Sequence, residues 1–245
     1  MVALFLVSVI FLSFNLFFKS SIDSTTPIGG ENSNNYTLVS NKIEDSNLVQ
    51  HQYQNQSLNS TAISNKACFG AGCYWGTEKY FKVNFARQKY PEALIKGKVG
   101  FMGPPGCKSN PTYKEVCSGS TGCVEVFDMT YHGGAEMYRE LVHFFFQFHD
   151  PTTMNQQGND KGTQYASVIF CYDNIQKDIA LEVIKELQDH LDNKLLTCYK
   201  GDQITTAVVD STIFYEAHDE HQEYLAQNPS GYCNHRIRFK EWPKK

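Results

Sequence analysis

Residues 65–83, NKACFGAGCYWGTEKYFKV, pass within one stretch from strand chemistry to helix chemistry. The first six, NKACFG, read as a short strand ending on glycine, and the run CYWGTEKYFKV reads as a helix starting at Cys73. Downstream, residues 95–102 (IKGKVGFM) are a second strand candidate. Residues 103–121 are rich in Gly, Pro, Ser and Thr and read as a long loop, of a length that is usually functional. Residues 124–131 (VEVFDMTY) alternate like a half-buried strand. In AEMYRELVHFFFQFH, Met137, Leu141, Phe144 and Phe148 recur at helical spacing, a stripe that faces a core rather than a cofactor. Residues 164–172 (QYASVIFCY) are a further strand. Ile175, Ile179, Val183, Leu187 and Leu191 mark an amphipathic helix with Asp173 or Asn174 as its N-cap. Residues 205–209 add a strand and 217–227 a last short helix, and the closing RIRFKEWPKK reads as a solvated basic tail. The order β-α-β-β-α-β predicts an α+β fold. Its expected form is a two-layer, ferredoxin-like (split βαβ) sandwich with extra loops and a C-terminal extension.

Outside this stretch the chain changes character. Of 245 residues, 41% are hydrophobic and 20% charged, and the net charge of −4 rules out both a basic nucleic-acid-binding face and an acidic solvating tail. Eight cysteines are too few for a small disulfide scaffold of this length. Residues 2–18 are uncharged and mostly apolar. Their number lies between a secretory core of about 7–15 residues and a spanning helix of about 20. Residues 1–19 are therefore expected to be a signal peptide or an uncleaved signal-anchor holding the chain to a membrane. Residues 20–65 include 25 Ser, Asn, Thr or Gln out of 46 and read as a disordered stalk. Three N-x-S/T triplets, at Asn35, Asn55 and Asn59, make a glycoprotein of the secretory pathway, lumenal or extracellular, the coherent expectation. Residues 66–245 form one domain, expected to be monomeric, that holds all eight cysteines and both tryptophans.

Chemistry concentrates at GAGCYWG. Cys73 falls at a strand-to-helix turn, where unpaired N–H groups and the positive helix end favour a thiolate. Gly70 and Gly72 allow close backbone approach, and Tyr74 and Trp75 offer an apolar wall beside the sulfur. A half-buried structural cysteine, or half of a disulfide, fits the same local sequence. Glu125 opens a strand, where partial burial raises a carboxyl pKa and suits an acid; a solvent-facing position is the plainer alternative. The polar run NQQGNDKGTQY lies between an aromatic helix and an apolar strand, with turn chemistry around Asn159 and Asp160.

GCYWG, NPTY, the Glu of GCVE, HDPTT, QGNDKGTQY and NPSGYC occur in the order, and nearly at the spacing, of the A-class peptide methionine-S-sulfoxide reductases, which this chain resembles over essentially all of 66–235. The resemblance implies that Cys73 attacks the sulfoxide sulfur of oxidised proteins or of free methionine sulfoxide. It implies that Tyr74 and Trp75 pack on the substrate methyl group and that Glu125 protonates the oxygen. Tyr113, Asp160 and Tyr165 match the groups that orient that oxygen, directly or through water. Cys233 matches a resolving cysteine, giving a Cys73–Cys233 disulfide that a thioredoxin-like dithiol reduces. No prosthetic cofactor or metal is implied. The chain departs from the family pattern in Tyr74, usually Phe, in Cys123, usually His, and in a longer Cys73-to-Tyr113 spacing. It also has no cysteine after Cys233, so a cycle with a single resolver is expected.

Two other classes remain. A secreted thiol hydrolase would use Cys73 with His218, since GAGCYW faintly echoes papain-type sequences. A disulfide-stabilised binding module would use the cysteines structurally, with Cys107 and Cys117 able to pair in a lumenal setting. His218 and His221 lack a third ligand at metal-binding spacing.

Overall fold

The structure is a computed structural model that describes residues 62–243. The leader expected at 1–19, the three N-x-S/T triplets and the stalk up to 61 lie outside the described residues. The end of the expected stalk belongs to the domain. The Ser64 amide donates to Asp173 Oδ2 (2.6 Å), and the Ser64 carbonyl accepts from the Tyr131 hydroxyl (2.8 Å).

Strand β1 (Lys66–Ala71) leads through Gly72 into α1 (Tyr74–Lys79), which widens into a π-helix over Tyr80–Arg87. Strand β2 (Lys96–Met102), helix α2 (Tyr113–Cys117), strand β3 (Val124–Thr130) and helix α3 (Gly134–Phe148) follow. Next come a small hairpin of β4 (Gln156–Gln157) and β5 (Asp160–Lys161), strand β6 (Ser167–Cys171) and helix α4 (Asn174–Asp192). Strands β7 (Ala207–Asp210) and β8 (Tyr215–Glu216) and helix α5 (Tyr224–Gln227) complete the order. The main sheet runs β7-β6-β1-β3-β2-β8. All neighbours are antiparallel except β6 and β7. This is an α+β fold built on one mixed sheet.

Period-two alternation sorts the sheet's residues by parity. Ala67, Phe69 and Ala71 of β1, Phe127 and Met129 of β3, Val99 and Phe101 of β2 and Ile169 of β6 enter one apolar core with the helices. The helical stripe Met137, Leu141, Phe144 and Phe148 joins it, as the periodicity predicts. Phe69 stacks on Phe81 with ring centroids 5.0 Å apart and lies 5.2 Å from Phe145; Phe81 meets Phe148 edge-on at 5.4 Å. Each such ring pair contributes roughly 0.5–1.5 kcal/mol beyond area burial. Because Glu125 shares the parity of Phe127, the same alternation turns a carboxyl group toward the helix layer.

Three local expectations need correction. Loop 103–121 contains α2, started by a capping box: Thr112 Oγ1 accepts from the Glu115 amide, and the Glu115 carboxylate accepts from the Thr112 amide. The helix expected over 217–227 is a 3-10 turn (Asp219–His221) and the short α5, separated by Glu223 in the left-handed region (φ 53°). Its cause is Gln222, whose side-chain amide accepts from the Val99 amide (2.9 Å) and donates to the Val99 carbonyl (2.9 Å), pairing with β2 as a strand would. The basic C-terminus is not a solvated tail. The Arg236 and Arg238 amides donate to the carbonyls of Phe148 (3.2 Å) and Gln147 (2.8 Å), and Trp242 packs on His143 at 4.3 Å.

Arg238 also forms an ion pair with Asp150 (3.4 Å) at which the two side chains are only 7% and 2% exposed. Removing one partner of a buried pair strands the other charge. Arg238→Ala is expected to destabilise the domain by about 3 kcal/mol, read by urea denaturation at neutral pH. A change below 0.5 kcal/mol, roughly the surface-substitution level, would show that Asp150 is satisfied without Arg238.

Candidate active site

The register of β1 on β3 pairs Phe69 with Phe127. Continued along both strands, it brings the end of β1 opposite Glu125, so the turn into α1 passes directly over that carboxyl. Gly72 makes the turn with φ +94°, and a Cβ there would run into the Gln157 side chain at 2.5 Å. Cys73 is the N-cap residue of α1, with φ −57° and ψ 125°. Its carbonyl accepts from the Thr77 amide (3.4 Å) and the Thr77 hydroxyl (3.3 Å).

The Tyr74 amide, one of the unpaired N–H groups of the helix start, donates to Glu125 Oε2 at 3.0 Å. Glu125 is 2% exposed. Burial pushes its pKa up to about 8, and the Asp160 charge adds to the rise, against the Tyr74 amide, which opposes it. The carboxyl is therefore largely protonated at neutral pH. Cys73 is 7% exposed. Burial raises its thiol pKa well above the ordinary value, and the Glu125 and Asp160 charges raise it further. The Trp75 and Gly76 amides at the helix start favour the thiolate and pull the other way, and lose. The sequence pattern implies a thiolate at the helix start; desolvation reverses that in the resting site, which holds a thiol.

Tyr113 and Tyr165 are near enough to Glu125 to feel its charge. Burial and the Glu125 charge raise both phenol pKa values, so both hydroxyls remain donors. Cys117 is close enough to Tyr113, Tyr165 and Glu125 to interact with all three, and burial raises its thiol pKa. Cys117 carried no role in the sequence reading, although it sits in the same NPTYKEVCSG run as Tyr113.

The aromatic wall differs from expectation. Tyr74 is fully buried, tilted against Phe101 at 5.8 Å, and its hydroxyl finds no hydrogen-bond partner. It backs the wall rather than forming its surface. The surface comes from half-buried Trp75, stacked on Tyr224 at 3.9 Å, and from Tyr113, which lies 4.4 Å from the His221 ring.

The C-terminal segment straps this site. Asp160 accepts from the Tyr232 hydroxyl (2.9 Å) and from Asn234 Nδ2 (2.9 Å), which also donates to the Gln157 carbonyl (3.1 Å). His235 Nε2 meets the Ala71 carbonyl at 2.7 Å, which makes that nitrogen the donor. His235 Nδ1 then faces Cys233 Sγ, 3.8 Å away, as an acceptor. A Cβ on Gly76 would fall 2.0 Å from His235 Nδ1, so only glycine lets the strap lie against α1. The strap residues Tyr232, Asn234 and His235 were not found by sequence reading; their only signal was adjacency to Cys233. His218 is exposed and faces Glu220 (3.8 Å), not the cysteine. Among the described residues no group of three or more His, Cys, Asp or Glu is placed to hold a metal ion.

Comparison with known proteins shows what the chain is similar to. The family model described as peptide methionine sulfoxide reductase matches residues 65–244. The archaeal "Peptide methionine sulfoxide reductase MsrA" of Methanothermobacter thermautotrophicus is 39% identical over 69% of this chain and 90% of its own. The human "Mitochondrial peptide methionine sulfoxide reductase" is 41% identical over 68% of this chain and 65% of its own length. Among solved structures, reduced Mxr1 of Saccharomyces cerevisiae superposes with a TM-score of 0.60 at 32% identity, covering 74% of this chain and 95% of that one. Methionine sulfoxide reductase A of Corynebacterium diphtheriae gives 0.57 at 34% identity, covering 71% and 79%.

These relatives overturn the secretory, lumenal or extracellular destination expected from the sequence. Those from mouse, rat and human are named mitochondrial, and others come from an archaeon, bacteria and fission yeast. The physical reason is that an apolar run and Asn-x-Ser/Thr triplets in an Asn- and Ser-rich tract record composition, which is not specific to one compartment. Among the described residues no helix is long and apolar enough to cross a membrane. All eight cysteines are free, including Cys107 and Cys117, expected as a pair only in a lumenal setting.

Proposed function

The chain belongs to the peptide methionine sulfoxide reductase family, and from that premise we propose a division of labour among its residues for reduction of the S epimer. Cys73 is the nucleophile. Its sulfur attacks the sulfoxide sulfur while Glu125 delivers its proton to the sulfoxide oxygen and takes up the proton that the Cys73 thiol releases. The hydroxyl passes to Cys73, methionine leaves, and Cys73 remains as a sulfenic acid. The sulfoxide gains two electrons and the cysteine loses them. Tyr113 and Tyr165 donate to the oxygen, and Trp75 takes the methyl group, with Tyr74 behind it. Asp160 acts by fixing the strap through Tyr232 and Asn234. The single observation that carries this reading is Glu125: a buried, protonated carboxyl joined by one hydrogen bond to the residue after Cys73.

Proton placement also explains how a buried thiol reacts. The Glu125 charge is one reason the Cys73 pKa is high. With Glu125 protonated at neutral pH that repulsion is absent, and its proton is aimed at an oxygen that parts from the substrate sulfur only once protonated.

Cys233 resolves the sulfenic acid. Its thiol sulfur attacks Cys73 Sγ, water departs, and the resulting disulfide is reduced by a thioredoxin-like dithiol. For the fold, we read β6-β1-β3-β2 with α1 and α3 to α4 around them as a split βαβ, ferredoxin-like core; the all-antiparallel pairing of these four strands supports it.

The test is reduction of N-acetyl-methionine sulfoxide, epimer by epimer, with dithiothreitol. Turnover of the S form and not the R form is expected, because the mirror arrangement buries the oxygen against the apolar wall unpaired. Equal turnover of both epimers would remove the proposed division between wall and donors. Cys233→Ser is expected to release one methionine per enzyme at the parent's rate and then to stall with thioredoxin. A missing first turnover would show that Cys233 does more than resolve.

A further inference from the structure

Two cysteines that the reductase reading leaves idle meet outside its site. Cys107 is in the long loop after β2, and Cys123 immediately precedes β3. The Lys108 amide donates to the Thr121 carbonyl (2.9 Å), drawing the two chain segments together. Cys123 Sγ lies 3.5 Å from the Lys108 carbonyl. The Cys107 sulfur lies against Gly103, where a Cβ would come within 2.9 Å of it and within 2.7 Å of the Gly122 carbonyl. Cys107 Sγ and the carbonyl of Gly122, the residue before Cys123, thus approach one point, while Cys123 Sγ turns to the residue after Cys107. Cys117 interacts instead with Tyr113, Tyr165 and Glu125 of the reductase site.

We propose that Cys107 and Cys123 are a second two-electron redox site, a dithiol that hydrogen peroxide closes to a reversible disulfide. The geometry divides the roles. Cys107 is half-buried and reachable, whereas Cys123 is 1% exposed. The neighbouring Cys123 thiol draws the Cys107 pKa down to about 7, while the Cys123 pKa rises. Cys107 is thus the thiolate that attacks the peroxide oxygen. The O–O bond breaks, one water leaves, and Cys107 becomes a sulfenic acid. Cys123 sulfur then displaces the hydroxyl as a second water, so two thiols lose two electrons and one peroxide becomes two waters. An external dithiol reverses the bond by exchange. The closed bond ties the loop that carries Tyr113 to the start of the strand that carries Glu125. The site does not depend on the roles assigned to Cys73 and Cys233.

The test treats the full chain with hydrogen peroxide without substrate, caps free thiols with N-ethylmaleimide and maps unreduced peptides. A Cys107–Cys123 link is expected in the parent, in Cys117→Ser and in Cys73→Ala, and dithiothreitol is expected to open it. Peroxide that leaves both thiols alkylatable would overturn the proposal. So would a link to Cys117, or a link that vanishes in Cys73→Ala, since it would then be a by-product of the reductase cycle. A failed epimer assay would leave this result untouched.

Discussion

Cys73→Ala is expected to lower S-sulfoxide turnover by about four orders of magnitude or more, with no measurable methionine in a single-turnover experiment. The size follows from the chemistry. Without a nucleophile there is no covalent path, and the surrounding donors have nothing to assist. The fold should survive, because Cys73 caps α1 through its carbonyl, which accepts from Thr77, and not through its side chain. Loss of a small buried side chain costs on the order of 1 kcal/mol. A folded, inactive variant is the expected outcome, checked by circular dichroism beside the assay. Retention of even a tenth of the parent rate would move the nucleophile elsewhere. Cys117 would then be the first residue to examine, since it is the other thiol facing Glu125.

That alternative shows where sequence reading stops. The strand-to-helix turn at Cys73, the placement of Glu125 on a strand and the aromatic stripe of α3 were all legible, because each rests on periodicity or on small-residue turn chemistry within a few positions. What decides protonation was not. Helix-start amides and burial act on Cys73 with opposite signs, and only the packed structure shows that burial is larger. The side of the wall that Tyr74 takes depends on its packing against Phe101, a contact between residues 27 positions apart. The segment from Arg236 onward reads as a solvated tail because Arg238 and its neighbours are basic. Its partners, Asp150, Gln147 and Phe148, lie about 90 residues earlier. Contacts of that span leave no local pattern.

Glu125→Gln separates two quantities that one carboxyl controls. As the acid, Glu125 is worth about 10²–10⁴ in rate, and glutamine keeps its shape and its acceptor oxygen while losing the acidic proton. With a pKa of about 8, the parent's kcat/KM is expected to fall as pH rises through 8, because the acid form disappears. The variant should be uniformly slow across that window. Stability moves the other way. The folded pKa lies above the ordinary value of 4.5, so the folded state binds more protons than the unfolded state between the two. The parent therefore loses stability as pH rises from about 4.5 through 8, and the loss is complete above that. Glutamine has no charge to bury, so the variant is expected to match the parent near pH 4 and to exceed it at pH 9 by on the order of a few kcal/mol. Urea denaturation at the two pH values reads this directly. A parent stability that stays flat between pH 5 and 9 would mean that the carboxyl ionises like one in water. The proton assigned to the sulfoxide oxygen would then have to come from Tyr113 or Tyr165.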